Sequence, residues 1–278
     1  MKNLQGYICL FFLILSLNPL VLAETKDFEP VQLVGALSQG ALVSGKVDKG
    51  IDVFLNDRIV KVTPKGDFVL GFGRDADLTQ VLRLENSGKK ISEQIITLTK
   101  RDYKIQRIEG VPQKMVTPDP SKTARIKADA LLVRTARKHS LDLEFFLQPF
   151  TPPSDGPITG VYGSQRVYNG TPKRPHYGLD YAAPVGTIVY APASGVVTLT
   201  HDDMYYSGGT LIIDHGYGVS SSFLHLSELL VKESEKIEQG DPIAKVGKGG
   251  RSTGPHLDWR INWFDVRIDP QLVLQRYK

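Results

Sequence analysis

The stretch GPHLDWRINW, Gly254 to Trp263, decides how the second half of the chain is read. Successive side chains of an extended segment point to opposite faces. His256, Asp258, Arg260 and Asn262 therefore share one face of a strand, and Leu257, Trp259, Ile261 and Trp263 share the other. Four large apolar side chains on one face belong to a core. The polar face then lines water, a cleft or a ligand, and the rest of the chain has to say which.

The first residues, MKNLQGYICLFFLILSLNPLVLAE, hold one lysine, an apolar run from about Tyr7 to Leu15, and Val21-Leu22-Ala23 before Glu24. That pattern reads as a secretory signal over residues 1–23 with cleavage after Ala23. The run is broken by Ser16, Asn18 and Pro19, and no second long apolar stretch follows, so no permanent membrane span is expected. The one cysteine, Cys9, lies inside the run. An exported chain without disulfides must rest on its cores, or on a metal. A formal charge of +4 spread along the sequence is no nucleic-acid footprint.

Residues 24–110 alternate in short apolar runs punctuated by turn residues: VQLVGAL, ALVSGKV, IDVFLNDRIVKV, DFVLGF, TQVLRL and SEQIITL. Asn56-Asp57 and Lys65-Gly66 read as hairpin turns, and the spacing predicts a β-sandwich module. It has no histidine or acid cluster, so binding or spacing is its expected role. Residues 111–155 read as a Pro- and Lys-rich linker carrying a helix over about 121–139, patterned by Ala124, Ala128, Leu131, Leu132 and Thr135. Residues 156–278 are again β-rich and Gly-punctuated. The expected fold class is mainly β: an N-terminal β-sandwich, a connecting helix, and a C-terminal antiparallel β domain.

Five of the six histidines, His176, His201, His215, His225 and His256, follow Gly160. A lone histidine in a strand-rich domain is most often a hydrogen-bonded structural residue, the expectation for His201 and His215. RPHYGLD is more informative: taken alone it reads first as a surface turn, but a loop there can bring His176 and Asp180 to one ion, and the chain goes on to supply HLS at His225 and HLD at His256. The glycines of VGKGGRSTG do not form a phosphate loop: the G-x-x-x-x-G-K-[ST] pattern is absent and a strand follows, not a helix. They suit a tight rim at Arg251 to Gly254. GDPIAKVG carries a lysine, Lys245, placed as in a swinging-arm carrier, a reading that export and the histidines oppose.

RPHYGLDYAAPVGTIVYAPASGVV, GTLIIDHGYGVSSSFLHLSEL and GDPIAKVGKGGRSTGPHLDWRINW resemble, in order and spacing, the lysostaphin-type or LytM-like zinc peptidases of bacterial cell walls. The likeness runs from about Gly156 to Leu274, and the upstream module resembles the Ig-like modules of some members. The resemblance implies a β-groove floored by zinc. It makes His176 and Asp180 two metal ligands, and His225 and His256 the catalytic histidines that orient the attacking water. It puts Asp258 at the third ligand position, which is normally histidine. Carboxylate oxygen ligates zinc at nearly the same distance as imidazole, about 2.0 to 2.2 Å, but aspartate reaches less far. Two carboxylates also neutralise a divalent ion, which predicts weaker zinc binding or a more alkaline optimum than in an Asp258→His variant.

The implied function is a secreted zinc metalloendopeptidase that cuts peptide cross-links in peptidoglycan, working in the periplasm or another wall-facing compartment. Its implied partners are peptidoglycan stem peptides and other wall hydrolases. Arg166, Tyr168 and Asn169 would either shape or gate the groove entrance or serve a purely structural role. The alternative pairs Asp258 with Arg260, dispenses with metal, and makes the domain a module that binds wall peptide or activates an amidase.

Overall fold

The structure, a computed structural model, describes residues 29–110, 120–138 and 140–277. The signal expected over 1–23, Cys9, most of the Pro- and Lys-rich stretch, and His139 at the expected helix end lie outside the described residues.

Alternating apolar positions in the N-terminal module build two antiparallel sheets. One has strand order Leu33–Val34, Leu42–Lys46, Asp67–Gly71; the other has Arg58–Val60, Ile51–Leu55, Thr79–Asn86, Lys89–Thr97. Asn56, at φ 53°, makes the two-residue turn joining Ile51–Leu55 to Arg58–Val60. Leu42, Val53, Phe68, Leu70 and Leu82 are all buried.

The C-terminal part is a ten-stranded sheet whose long centre is Gly195–Met204, Gly208–Gly216, Val219–Leu229 and His256–Trp263, all antiparallel neighbours. Leu179–Ala182 pairs with the far side of His256–Trp263. Leu257, Trp259 and Ile261 are fully buried and Trp263 is 2% exposed. At about 2 kcal/mol for each large apolar side chain removed from water, this face pins the strand and so aims the opposite face. A small fourth sheet pairs Gln165–Tyr168 with Thr171–Pro172 and, in parallel, with Ile105–Ile108 from upstream. Parallel pairing needs a crossover, and the whole linker helix lies within it.

That helix spans Thr123–Lys138. Its contact with the sheet is not through Leu131 and Leu132, which are 59% and 43% exposed. Val133 and Ala136 pack on Leu199, Met204 and Ile212. Side chains on the same stripe, one and then two turns apart, finish the docking: Arg125 bonds Asp203, Asp129 accepts from the Tyr205 amide, and Arg137 donates to Ser222. The stretch after the helix is anchored too, with Phe146 fully buried and Phe150 5% exposed.

Among the described residues no helix is long and apolar enough to cross a membrane.

Candidate functional site

The polar face of the His256–Trp263 strand forms the floor of a groove of about 1780 Å³. His256, Asp258, Arg260 and Asn262 all line it, as do His176, Asp180 and His225, with the linker helix as one wall.

His176, Asp180 and Asp258 come together from two paired strands and the turn before them. Asp180 faces Asp258 directly in the antiparallel register, and one ligand atom from each of the three residues lies within 4.8 Å of the others. His176 Nε2 and Asp180 Oδ1 are 3.1 Å apart, both sealed from water, and neither makes a hydrogen bond of acceptable geometry. Buried donors and acceptors are rarely left in that state. Burial pulls the His176 pKa down, but contact with Asp180 and the nearby Asp258 outweigh it, so the value is raised. Glycines hollow out the room these carboxylates occupy: a Cβ on Gly160 would come within 2.1 Å of Asp180 Oδ2, and one on Gly178 within 2.0 Å of Asp258 Oδ1. An imidazole and two carboxylates converging on orphaned atoms form a donor set that fits zinc.

Asp258, 2% exposed, is the most buried of the three. Arg260 grips both its oxygens, Nε at 2.9 and 3.0 Å and Nη2 at 2.5 Å. Burial would raise the Asp258 carboxyl, yet the guanidinium beside it holds it down at about 2. The pair alters the charge argument drawn from sequence. Asp258 brings one negative charge more than a histidine would, and Arg260 cancels it, so the local sum equals that of a site with a neutral imidazole in this place.

His225 and His256 sit side by side, ring centroids 4.7 Å apart. His225 reaches the groove against the strand rule. Ser222 and Leu224 pair with Arg260 and Asp258 and line the groove, so the next residue should face away. His225 instead has φ 65°, in the left-handed region, and the pairing slips just beyond it. Such a backbone costs of order 1–3 kcal/mol in a non-glycine residue and is concentrated at functional sites. Its Nδ1 lies 2.8 Å from the Gly249 carbonyl, and His256 Nδ1 lies 2.9 Å from the Gly254 carbonyl. A carbonyl only accepts, so each Nδ1 carries the hydrogen and each neutral ring keeps the Nε2 lone pair. Burial lowers the His225 pKa, which favours that neutral form.

The other histidines have structural places. His215 is fully buried, with Nδ1 at 2.8 Å from the Ser194 carbonyl and Nε2 at 2.8 Å from Ser221 Oγ. His201, half-buried in the Gly195–Met204 strand, accepts at Nδ1 from the Asp203 amide. The Gly249-Gly250 rim packs on Gly208 and the Tyr206 carbonyl, and Arg251 and Thr253 face the groove. Lys245 is paired with Glu228. Arg166 and Tyr168 line the groove. Sequence reasoning gave no role to Arg137 or Arg267, which also line it; no motif marks them.

A groove in an antiparallel sheet, floored by a His-Asp-Asp cluster with two imidazoles beside it, defines the class of a metal-dependent hydrolase site. Residues 174–270 match the family described as Peptidase family M23. This part of the chain is an M23 peptidase domain. It is similar to the peptidoglycan DD-endopeptidase ShyA of Vibrio cholerae, 35% identical over 125 residues, which is 45% of this chain and 29% of that protein. It is also similar to the DD-carboxypeptidase/endopeptidase Mpg of Neisseria meningitidis, 45% identical over 100 residues, 36% of this chain and 22% of that protein. The chain thus matches under a third of the length of these relatives. A crystal structure described as a peptidase M23 of Pseudomonas aeruginosa superposes with a TM-score of 0.69 at 25% identity, covering 88% of this chain and 97% of the other.

Proposed function

We propose that the protein is an exported zinc metalloendopeptidase that hydrolyses peptide cross-links of bacterial peptidoglycan, with stem peptides as substrate and other wall hydrolases as working partners. The observation that carries this reading is the pair of buried, unsatisfied atoms, His176 Nε2 and Asp180 Oδ1, facing Asp258 beside the two histidines. The similarity to wall endopeptidases supports the choice of substrate.

His176, Asp180 and Asp258 would hold the zinc, which supplies Lewis acidity towards the scissile carbonyl and towards water. The chain's own residues supply the rest. Arg260 fixes the Asp258 carboxylate in its ionised form. His225 and His256, with Nδ1 fixed by backbone carbonyls, present Nε2 to take a proton from the attacking water and return it to the leaving amine. The open groove accepts an extended peptide along its floor.

A second reading is favoured by one observation, the full engagement of both Asp258 oxygens by Arg260. In it the ion pair replaces the metal, and the groove binds wall peptide or activates an amidase without cutting. Elemental analysis of the purified chain separates the two. The first reading expects close to one zinc per chain, at least ~10-fold weaker zinc binding in Gly160→Ala, where the new methyl displaces the Asp180 carboxylate, and loss of zinc in Asp258→Ala. A metal-free wild type after zinc loading would leave the second reading.

A further inference from the structure

The groove continues beyond the metal ligands into a region rich in cations and poor in anions. Two residues along a strand advance about 7 Å, so Arg260 and Asn262 carry the floor roughly 7 and 13 Å past Asp258. Asn262 is fully buried, yet its Nδ2 has no hydrogen-bond partner; its Oδ1 is taken by Arg267 Nη1 at 3.0 Å. Arg137 enters from the linker helix. Its Nη2 donates to Ser222 Oγ at 2.9 Å, and its Nε is sealed from water without a partner.

Three guanidinium groups, those of Arg137, Arg260 and Arg267, are therefore gathered at one end of the groove. Burial and the neighbouring Arg267 and Arg260 push Arg137 well below the usual arginine range, and burial with Arg260 pushes Arg267 down to about 10. Those directions mean that positive charge is held here at a cost. The carboxylates lining the groove are otherwise occupied: Asp258 by Arg260, Asp129 by the Tyr205 amide, Asp265 by Arg58, and Asp180 in the metal cluster. Neutral and cationic donors that lack acceptors, converging where a bound chain passes, ask for an anion with several acceptor lone pairs.

We propose that Arg137, Arg267 and the Nδ2 group of Asn262 form a subsite for a carboxylate of the bound peptide. The subsite lies about two to four residue lengths along the groove from the metal ligands. Because Arg137 comes from the helix before the M23 domain, the subsite is completed only by the upstream segment. Planar, forked donors suit a carboxylate, which accepts through both oxygens. This assignment rests on the groove being a peptide site, as proposed above.

The test uses the full chain and an uncross-linked disaccharide tetrapeptide, which offers no cross-link to cut. Its binding is compared by calorimetry with that of the same compound after its carboxylates are amidated. The free acid should bind at least ~10-fold more tightly. Arg137→Gln and Arg267→Gln should each remove most of that difference while leaving the affinity for the amide unchanged, and Arg267→Lys should restore part of it. Equal binding of acid and amide, no binding of either, or Gln variants that weaken both alike would overturn the subsite. So would inorganic phosphate binding more tightly than the tetrapeptide. Cleavage of cross-linked muropeptides is scored separately. A chain that binds the acid selectively and does not cut keeps the subsite and loses the peptidase reading, and one that cuts without preference for the acid does the reverse.

Discussion

His215 shows how a single side chain sets the conditions under which this fold holds. The Ser194 carbonyl accepts from Nδ1, so Nε2 must accept from Ser221 Oγ, which in turn accepts from Trp259 Nε1 at 3.3 Å. That closed network needs a neutral ring, and burial lowers its pKa from 6.5 to about 4. Unfolding therefore takes up a proton in this interval. The contribution is fully present above pH 6.5 and is lost as pH falls from there towards about 4, by a total of about 3 kcal/mol. Denaturant melts of wild type should show that slope, and His215→Gln, less stable at neutral pH, should show a shallower one; equal slopes would mean that another group titrates. At this scale the sequence was only partly legible. The spacing of His176 and Asp180, and the alternation of His256 and Asp258, could be read from residues. The turn of His225 into the groove could not, because it depends on a left-handed residue that breaks the alternation on which such reading relies.

The two elements that build the groove differ in how openly the sequence declares them. The floor strand is written in Leu257, Trp259, Ile261 and Trp263, whose burial leaves no choice of face. The linker helix is recognisable as a helix, but its docked stripe is not the apolar one. Arg125, Asp129 and Arg137 make their bonds to partners far away in sequence, which no local pattern reveals, while Leu131 and Leu132 stay outside. Ala136, 4% exposed, is the narrow point of that docking, packed with Met204 and Ile212. An Ala136→Asp change would bury an unpaired carboxylate there, costing about 3 kcal/mol in local stability. Hydrogen exchange should then speed up over residues 123–138, with exchange in the central strands unchanged. Unaltered exchange in the helix would mean that the helix does not rely on this contact.

Across the whole molecule the sandwich and the groove domain share one continuous core. It includes Phe68 and Leu70 of the sandwich and Ile268, Trp263, Trp259 and Val219 of the groove domain. Gly71 is one place where they press close, since a Cβ there would meet Trp263 Cβ at 2.8 Å and Ile268 Cδ1 at 2.9 Å. Arg101 and the 2% exposed Asp269 clamp the same seam with a 2.8 Å ion pair. Sequence punctuation divides the chain into modules, but it carries no signal that their cores join, because each side of the seam reads as an ordinary apolar strand. Gly71→Val should cost about 2 kcal/mol through overpacking and lower the melting of both parts together in one calorimetric transition. Two separate transitions in wild type would show the modules to be independent.

The claim that unites these scales is that the groove cuts wall peptide with a metal held by His176, Asp180 and Asp258. Its most direct test is the release of cleaved products from cross-linked muropeptides by the full chain, assayed as purified, after treatment with a strong chelator, and after zinc is restored. The account predicts cleavage that the chelator abolishes and stoichiometric zinc returns. Cleavage that persists undiminished in the metal-stripped protein, or its absence from the zinc-loaded one, would contradict it.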